Sequence, residues 1–267
     1  MLEPIPGRPD RGAAGSTGLP PAPPRAPRGQ GLTRQIRGLP ATYGLVGVTV
    51  GVFLLQQLSV LITGIDWVTQ WGAKVNAAIT AGQLWRLVTP VLIHAGLLHL
   101  FVNMYSLTAI GPAVERLFGA RRMLAVYLLA GVAGVEFSLA FSPYASVGAS
   151  GAIFGLLGAL GTLLYLHRKT LGPSGEVTLR RIAFVALLNL GLGLAPGIDN
   201  WGHLGGLLAG AALGWFLGPQ LEPIAVEGGR LRLADRRPWD QVRRQALVAC
   251  ALVGLLAVAA MASPFGR

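Results

Sequence analysis

Charge is scarce in this sequence. Asp, Glu, Lys and Arg make up 12% of its 267 residues, against about 25% in soluble domains. With a mean hydropathy of +0.56, that scarcity argues against a single water-soluble core. Cysteine is nearly absent as well. Cys250 stands alone, so no intrachain disulfide and no cysteine-built zinc cluster can form. Its plainest role is a small apolar residue in a helix. The aspartates Asp10, Asp66, Asp199, Asp235 and Asp240 all fall outside the apolar blocks, which removes chemistry built on two buried aspartates. The zinc motif H-E-x-x-H is missing, and His94 and His99 are not spaced to replace it. No metal and no organic cofactor is implied.

What the chain does have is apolar blocks of roughly 17–21 residues, the length that crosses a bilayer as a helix. They do not alternate as the strands of a membrane barrel do, so the fold class expected is all-α, a polytopic transmembrane helical bundle. Seven spans are expected, over 43–62, 93–111, 121–141, 149–166, 180–196, 201–218 and 246–262. Residues 1–42 hold nine of the 18 prolines and six arginines, and read as a disordered tail. The domain reading is that tail, a six-span core over 43–218, a basic linker over 219–245, and an extra span with a short external tail over 246–267. The connection 63–92 carries Trp67, Trp71 and Trp85, the residue type that settles at the membrane–water interface. It reads as a segment lying in or on the membrane surface.

The net charge of +11 invites a nucleic-acid partner, but the positions of the charges explain it otherwise. On this span layout 19 of the 22 Lys and Arg residues fall on one face, leaving Lys74, Arg86 and Arg267 on the other. Cytoplasmic loops hold the positive excess. The N-terminus is therefore expected in the cytoplasm and the C-terminus outside, with no nucleic acid needed. The partners implied are the lipid bilayer and other transmembrane proteins. The Ala-, Gly-, Arg- and Pro-rich composition fits a bacterial plasma membrane.

Polar residues inside spans mark function by default. His99, Asn103, Ser150 and His203 all lie near the outer end of their spans and can share one depth. Ser150 opens its span within Gly148-Ala149-Ser150-Gly151, where free backbone N–H groups favour negative charge. A nucleophile that generates an oxyanion suits that place; a serine that merely lets helices pack is the plainer alternative. The hydrolase elbow G-x-S-x-G fails, because Ala152 stands at its last glycine. His203 sits on a seam of glycines at 202, 206, 210, 214 and 218, and the span of Ser150 has its own small residues at 151, 155 and 158. Close packing of the two could bring an imidazole base to the hydroxyl. A histidine bonded to a backbone carbonyl remains the alternative. His99 and Asn103, four apart, share a helix face and can both donate to an oxyanion, or simply hold helices together. No acidic residue adjoins Ser150 or His203 in sequence, so a serine–histidine pair without a third member is expected.

As a set these residues resemble the rhomboid family of intramembrane serine proteases. The resemblance covers about 43–262. Gly148-Ala149-Ser150-Gly151 is similar to the family's G-x-S-G motif, and His203 before Leu204-Gly205-Gly206 to its base. His99 and Asn103 match its H-x-x-x-N pair, Trp85-Arg86 the Trp-Arg pair of its first loop, and Gly111 to Glu115 its G-x-x-x-E segment. Phe154 stands where some members carry a tyrosine packed on the base. The resemblance implies a serine endopeptidase whose substrates are transmembrane proteins, cut near the outer face where a helix is locally unwound. A non-catalytic scaffold that binds membrane proteins is the alternative from another class. A transporter would show inverted repeats, and none is visible.

Overall fold

The computed structural model describes residues 38–226 and 230–265; the tail reading for 1–37 and the placement of Arg267 lie outside them. Nine helices and one hairpin make up the described chain. Helix α1 (Pro40–Thr63) is followed by a surface segment holding α2 (Trp67–Gly72), α3 (Asn76–Thr80) and two 3₁₀ turns, Leu84–Leu87 and Thr89–Leu92. Then come α4 (Leu97–Phe118), α5 (Ala120–Phe141), α6 (Ser150–Leu166), α7 (Arg168–Leu192) and α8 (Asn200–Leu217). Strands β1 (Leu221–Val226) and β2 (Arg230–Asp235) precede α9 (Trp239–Met261). The all-α bundle expected from the sequence is what the chain forms. Among the described residues, α1, α4, α5 and α9 are long and apolar enough to cross a membrane, and α6 is a shorter apolar helix.

Several boundaries differ from the sequence reading, each for a physical reason. The tail was expected to run to residue 42, but α1 starts at Pro40, whose ring suits a first helical turn. The carboxylate of Glu115 holds that turn from across the bundle. It accepts the N–H groups of Ala41 and Thr42, each at 2.8 Å, and the Thr42 hydroxyl at 2.6 Å. The second span was expected over 93–111. Residues 93–96 are instead non-helical, and α4 runs on through Pro112 to Phe118. Packing overrides the Gly-Pro signal there, because Gly111 lies against Thr42 and Met123 where even one added carbon would clash. The fifth span was expected at 180–196. Helix α7 covers Arg168–Leu192, broken at Gly172 before Pro173.

The stretch 219–245, read as a linker, contains the antiparallel pair β1–β2, with Leu221 opposite Asp235 and Val226 opposite Arg230. Arg122 at the start of α5 anchors it by an ion pair with Asp235 at 2.6 Å. His167 at the end of α6 accepts the Leu221 N–H at 3.0 Å.

Helix α6 is the axis of the bundle. Eleven of its 17 residues are buried, on all sides, because α5 and α8 enclose it. Helix α7 is the opposite case, with only Gly175 and Ala186 buried among its 25 residues. The surface segment folds into pieces of six residues or fewer, far too short to cross about 30 Å of hydrocarbon. Trp67, Trp71 and Trp85 are all substantially exposed on it, as an interface segment requires.

Candidate active site

Three helix starts converge at one end of the bundle. Ser150 is the first residue of α6, and His203 lies in the first turn of α8. His99 lies in the first turn of α4. The meeting of α6 and α8 is made by missing side chains. A Cβ added at Gly206 would fall 2.7 Å from the carbonyl carbon of Gly151, and one at Gly214 would fall 2.7 Å from Cα of Ala159. The carbonyl of Gly202 is also in the way of a side chain at Gly151, at 3.2 Å, and at Gly134 of α5, at 2.7 Å. Small residues thus let three backbones touch.

That contact brings Oγ of Ser150 to 2.8 Å from Nε2 of His203. The His203 ring stacks on Phe154, with centroids 4.6 Å apart and planes 17° from parallel. Phe154 lies one turn beyond Ser150 on α6, so one helix supplies both the hydroxyl and the platform that orients its partner. Nδ1 of His203 has no protein partner among the described residues. Asp199 caps α8 by accepting the Gly202 N–H at 3.0 Å. An imidazole whose Nε2 meets a hydroxyl at this distance can take its proton.

Gly148 requires glycine on two counts. Its φ of +133° is one that side-chain-bearing residues rarely adopt. A Cβ there would also lie 2.8 Å from Cε1 and 2.9 Å from Nε2 of His99. The His99 ring is therefore pressed against the backbone two residues before Ser150. Asn103 is buried, but its amide donates to the His99 carbonyl at 2.9 Å rather than to Ser150. The first N–H groups of α6 have no intrahelical acceptor by position. A cavity of about 30 Å³ lies beside Ser150, lined by Pro90, Gly148, Gly151, Asp199, Gly202 and His203 among others. That is room enough for a water molecule.

The other residues singled out from the sequence lie away from the hydroxyl. Arg86 is buried and ties the surface segment to itself, donating to the carbonyls of Ala73 at 2.7 Å and Gln70 at 2.8 Å. Trp85 donates its indole N–H to the Trp71 carbonyl at 2.9 Å. Glu115 sits far along α4 and holds the start of α1, as described above.

Sequence reasoning missed Gln56 and Lys74, and noted His94 without giving it a part in the site. Gln56 of α1 exchanges two amide bonds with the backbone of His94, at 3.1 and 3.0 Å. His94 is buried, with its ring 5.0 Å from that of His99 and its Nε2 3.5 Å from the Ala149 N–H. Lys74 is wholly buried and donates to three carbonyls. The signal for Lys74 was a cation set, like Arg86, within a largely apolar, Trp-rich segment.

A family model described as "Rhomboid domain" matches residues 81–220. The chain is 42% identical over 182 residues to "Rhomboid protease GluP" of Bacillus subtilis (strain 168), covering 65% of this chain and 34% of that protein. It is 38% identical over 150 residues to "RHOMBOID-like protein 4" of Arabidopsis thaliana, covering 56% and 38%. It is 34% identical over 155 residues to "Rhomboid-like protease 3" of Toxoplasma gondii, covering 57% and 59%. The chain thus spans between a third and three fifths of the length of these relatives.

Proposed function

The chain belongs to the rhomboid family, and from that premise we propose that it is a serine endopeptidase that cuts peptide bonds of other membrane proteins within the bilayer. The observation that carries this reading is the 2.8 Å approach of the Ser150 hydroxyl to His203, made between two helices that touch through bare backbone. Ser150 attacks the scissile carbonyl while Nε2 of His203 takes its proton. The oxyanion forms against the N–H of Ser150 and the ring of His99. Asn103 joins them by turning its amide away from the His99 carbonyl. His203 then returns the proton to the leaving amine. A water in the adjoining cavity, activated by the same imidazole, hydrolyses the acyl-enzyme. Phe154 replaces a hydrogen-bonded third member by holding the His203 ring through stacking.

On this reading seven helices cross the membrane: α1, α4, α5, α6, α7, α8 and α9. Helices α6 and α8 tolerate their modest length and polarity because they lie inside the bundle. The N-terminus is cytoplasmic, the C-terminus is extracytoplasmic, and the site opens toward the outer side of the plasma membrane. Substrate approaches beside α7, whose sparse burial supports a movable wall. A cross-link locking α7 to α4 is expected to stop cleavage, and unchanged cleavage would refute that route. The central test compares cleavage of a model transmembrane substrate in liposomes by wild type, Ser150→Ala and His203→Ala. Both variants are expected to insert and fold but not to cut; normal cleavage by Ser150→Ala would end the proposal.

A further inference from the structure

We propose that Lys74 is a positioning residue for the nucleophile: it clamps the α5–α6 connection so that Ser150 is presented to His203 and His99. This inference rests on the serine-protease reading above.

Lys74 lies in the surface segment, between α2 and α3, and its side chain is wholly buried. Its Nζ donates to the carbonyls of Ser138 at 3.2 Å, Ser142 at 2.9 Å and Tyr144 at 2.8 Å. An ammonium has three protons, and here each finds one acceptor. Two of those acceptors lie at the end of α5, where the helix dipole favours a cation. The third has already left the helix and begun the connection. The ammonium therefore fixes the direction in which the chain departs from α5.

The backbone of Lys74 continues the grip. Its N–H donates to the Ser146 carbonyl at 3.0 Å, and the Ser146 N–H returns to the Lys74 carbonyl at 3.1 Å. Two residues further on, the Gly148 N–H donates to the Pro90 carbonyl at 2.9 Å. The surface segment thus holds the connection at 142, 144, 146 and 148. Ser150 follows directly, and the backbone at Gly148 already lies against the His99 ring. Slack anywhere along this tether is passed to the hydroxyl, and a displacement of about 1 Å in a reacting group costs about a hundredfold in rate.

The test uses the full chain in liposomes. Lys74→Met keeps the length and apolar stem but removes the charge and all three donors. Lys74→Gln restores two donors. The rate of Ser150 labelling by a fluorophosphonate probe is expected to fall about a hundredfold in Lys74→Met and less in Lys74→Gln. KM for a model transmembrane substrate is expected to stay unchanged, and amide exchange at Ser146 and Gly148 to rise about tenfold. Glu115→Ala, matched for loss of thermal midpoint, is expected to keep its labelling rate. Equal losses of labelling in Lys74→Met and Glu115→Ala would assign Lys74 to general stability and overturn the proposal. If Lys74→Met does not fold, wild-type kinetics in Lys74→Gln would overturn it instead. If wild type itself neither labels nor cleaves, the protease reading falls. The positioning role falls with it, and the exchange measurement still decides the clamp itself, which unprotected amides in the variant uphold and unchanged ones overturn.

Discussion

Gly206→Ala adds one carbon where α6 and α8 meet backbone to backbone. That carbon would lie 2.7 Å from the carbonyl carbon of Gly151 and closer still to its oxygen. Carbon atoms settle at about 3.5–4.0 Å, so the helices must part by roughly 1 Å. Neither neighbour can yield by rotating a side chain, because both contacts are backbone. His203 lies one turn before Gly206 and rides on α8. A Ser150–His203 separation of 2.8 Å then grows toward about 4 Å, beyond the reach of a hydrogen bond. The overpacking costs about 1–3 kcal/mol of stability, while the lost proton transfer costs about 10²–10⁴ in rate. Activity should therefore fall much further than the fold. The assay is liposome cleavage beside a thermal midpoint in detergent. Gly47→Ala and Gly51→Ala on α1, where an added carbon meets nothing within 4 Å, are expected to cleave as wild type does. Full activity in Gly206→Ala would refute the claim that bare backbone contact sets the dyad.

Glu115→Ala orphans the first turn of α1, which now gives three bonds to that carboxylate. The expected loss is about 2 kcal/mol, read as a lower thermal midpoint, with cleavage intact at temperatures where the protein stays folded. Phe154→Leu removes the platform under His203 and should slow cleavage about threefold to tenfold through loss of roughly 1 kcal/mol of stacking, whereas Phe154→Tyr keeps the rate. Burial lowers Lys74 from 10.5 to about 8, with Asp199 acting in the opposite direction. Between about pH 8 and 10.5 the unfolded chain holds that proton and the native chain does not. Stability from this group therefore rises with pH across the window, and is lost as pH falls toward 8, by up to roughly 3 kcal/mol. The difference in thermal midpoint between wild type and Lys74→Met, followed from pH 7.5 to 10.5, should carry that slope; a flat difference counts against it.

The site was legible from the sequence where its logic is local. Glycines every four residues must form a bare helix face, and a serine that opens an apolar block must meet free N–H groups, whatever the tertiary arrangement. The Ser150–His203 approach followed from those two facts together. Lys74, Gln56 and the capping by Glu115 were not legible as contacts, because each joins segments far apart in sequence through one polar side chain. No periodicity announces such a bond. The hairpin was missed for another reason. Arg-Leu-Arg-Leu alternates as a strand should, and Gly228-Gly229 is a turn signal, but the basic charge of the stretch drew attention to topology instead. Pro112 shows a local signal overruled, since packing at Gly111 carries α4 past a residue that normally ends helices.

Asp199 decides whether two residues are enough. It stands four residues before His203, the one acidic group among the described residues that line the cavity beside Ser150, and in a triad a carboxylate holds Nδ1 of the base. Here Nδ1 has no protein partner among the described residues, while the Asp199 carboxylate accepts the Gly202 N–H at 3.0 Å. It secures the start of α8 rather than the imidazole. On the proposed dyad, stacking on Phe154 and the α6–α8 contact supply the orientation that a third hydrogen bond would otherwise give. Asp199→Asn keeps a capping oxygen and loses only the charge, so it should retain most of the cleavage rate. Asp199→Ala loses the cap and should cost about 1 kcal/mol of stability. In a triad the same Asp-to-Asn change drops the rate about 10⁴-fold. A collapse of that size in Asp199→Asn, with the fold intact, would mean that the carboxylate swings to Nδ1 during catalysis and that the machinery has three members.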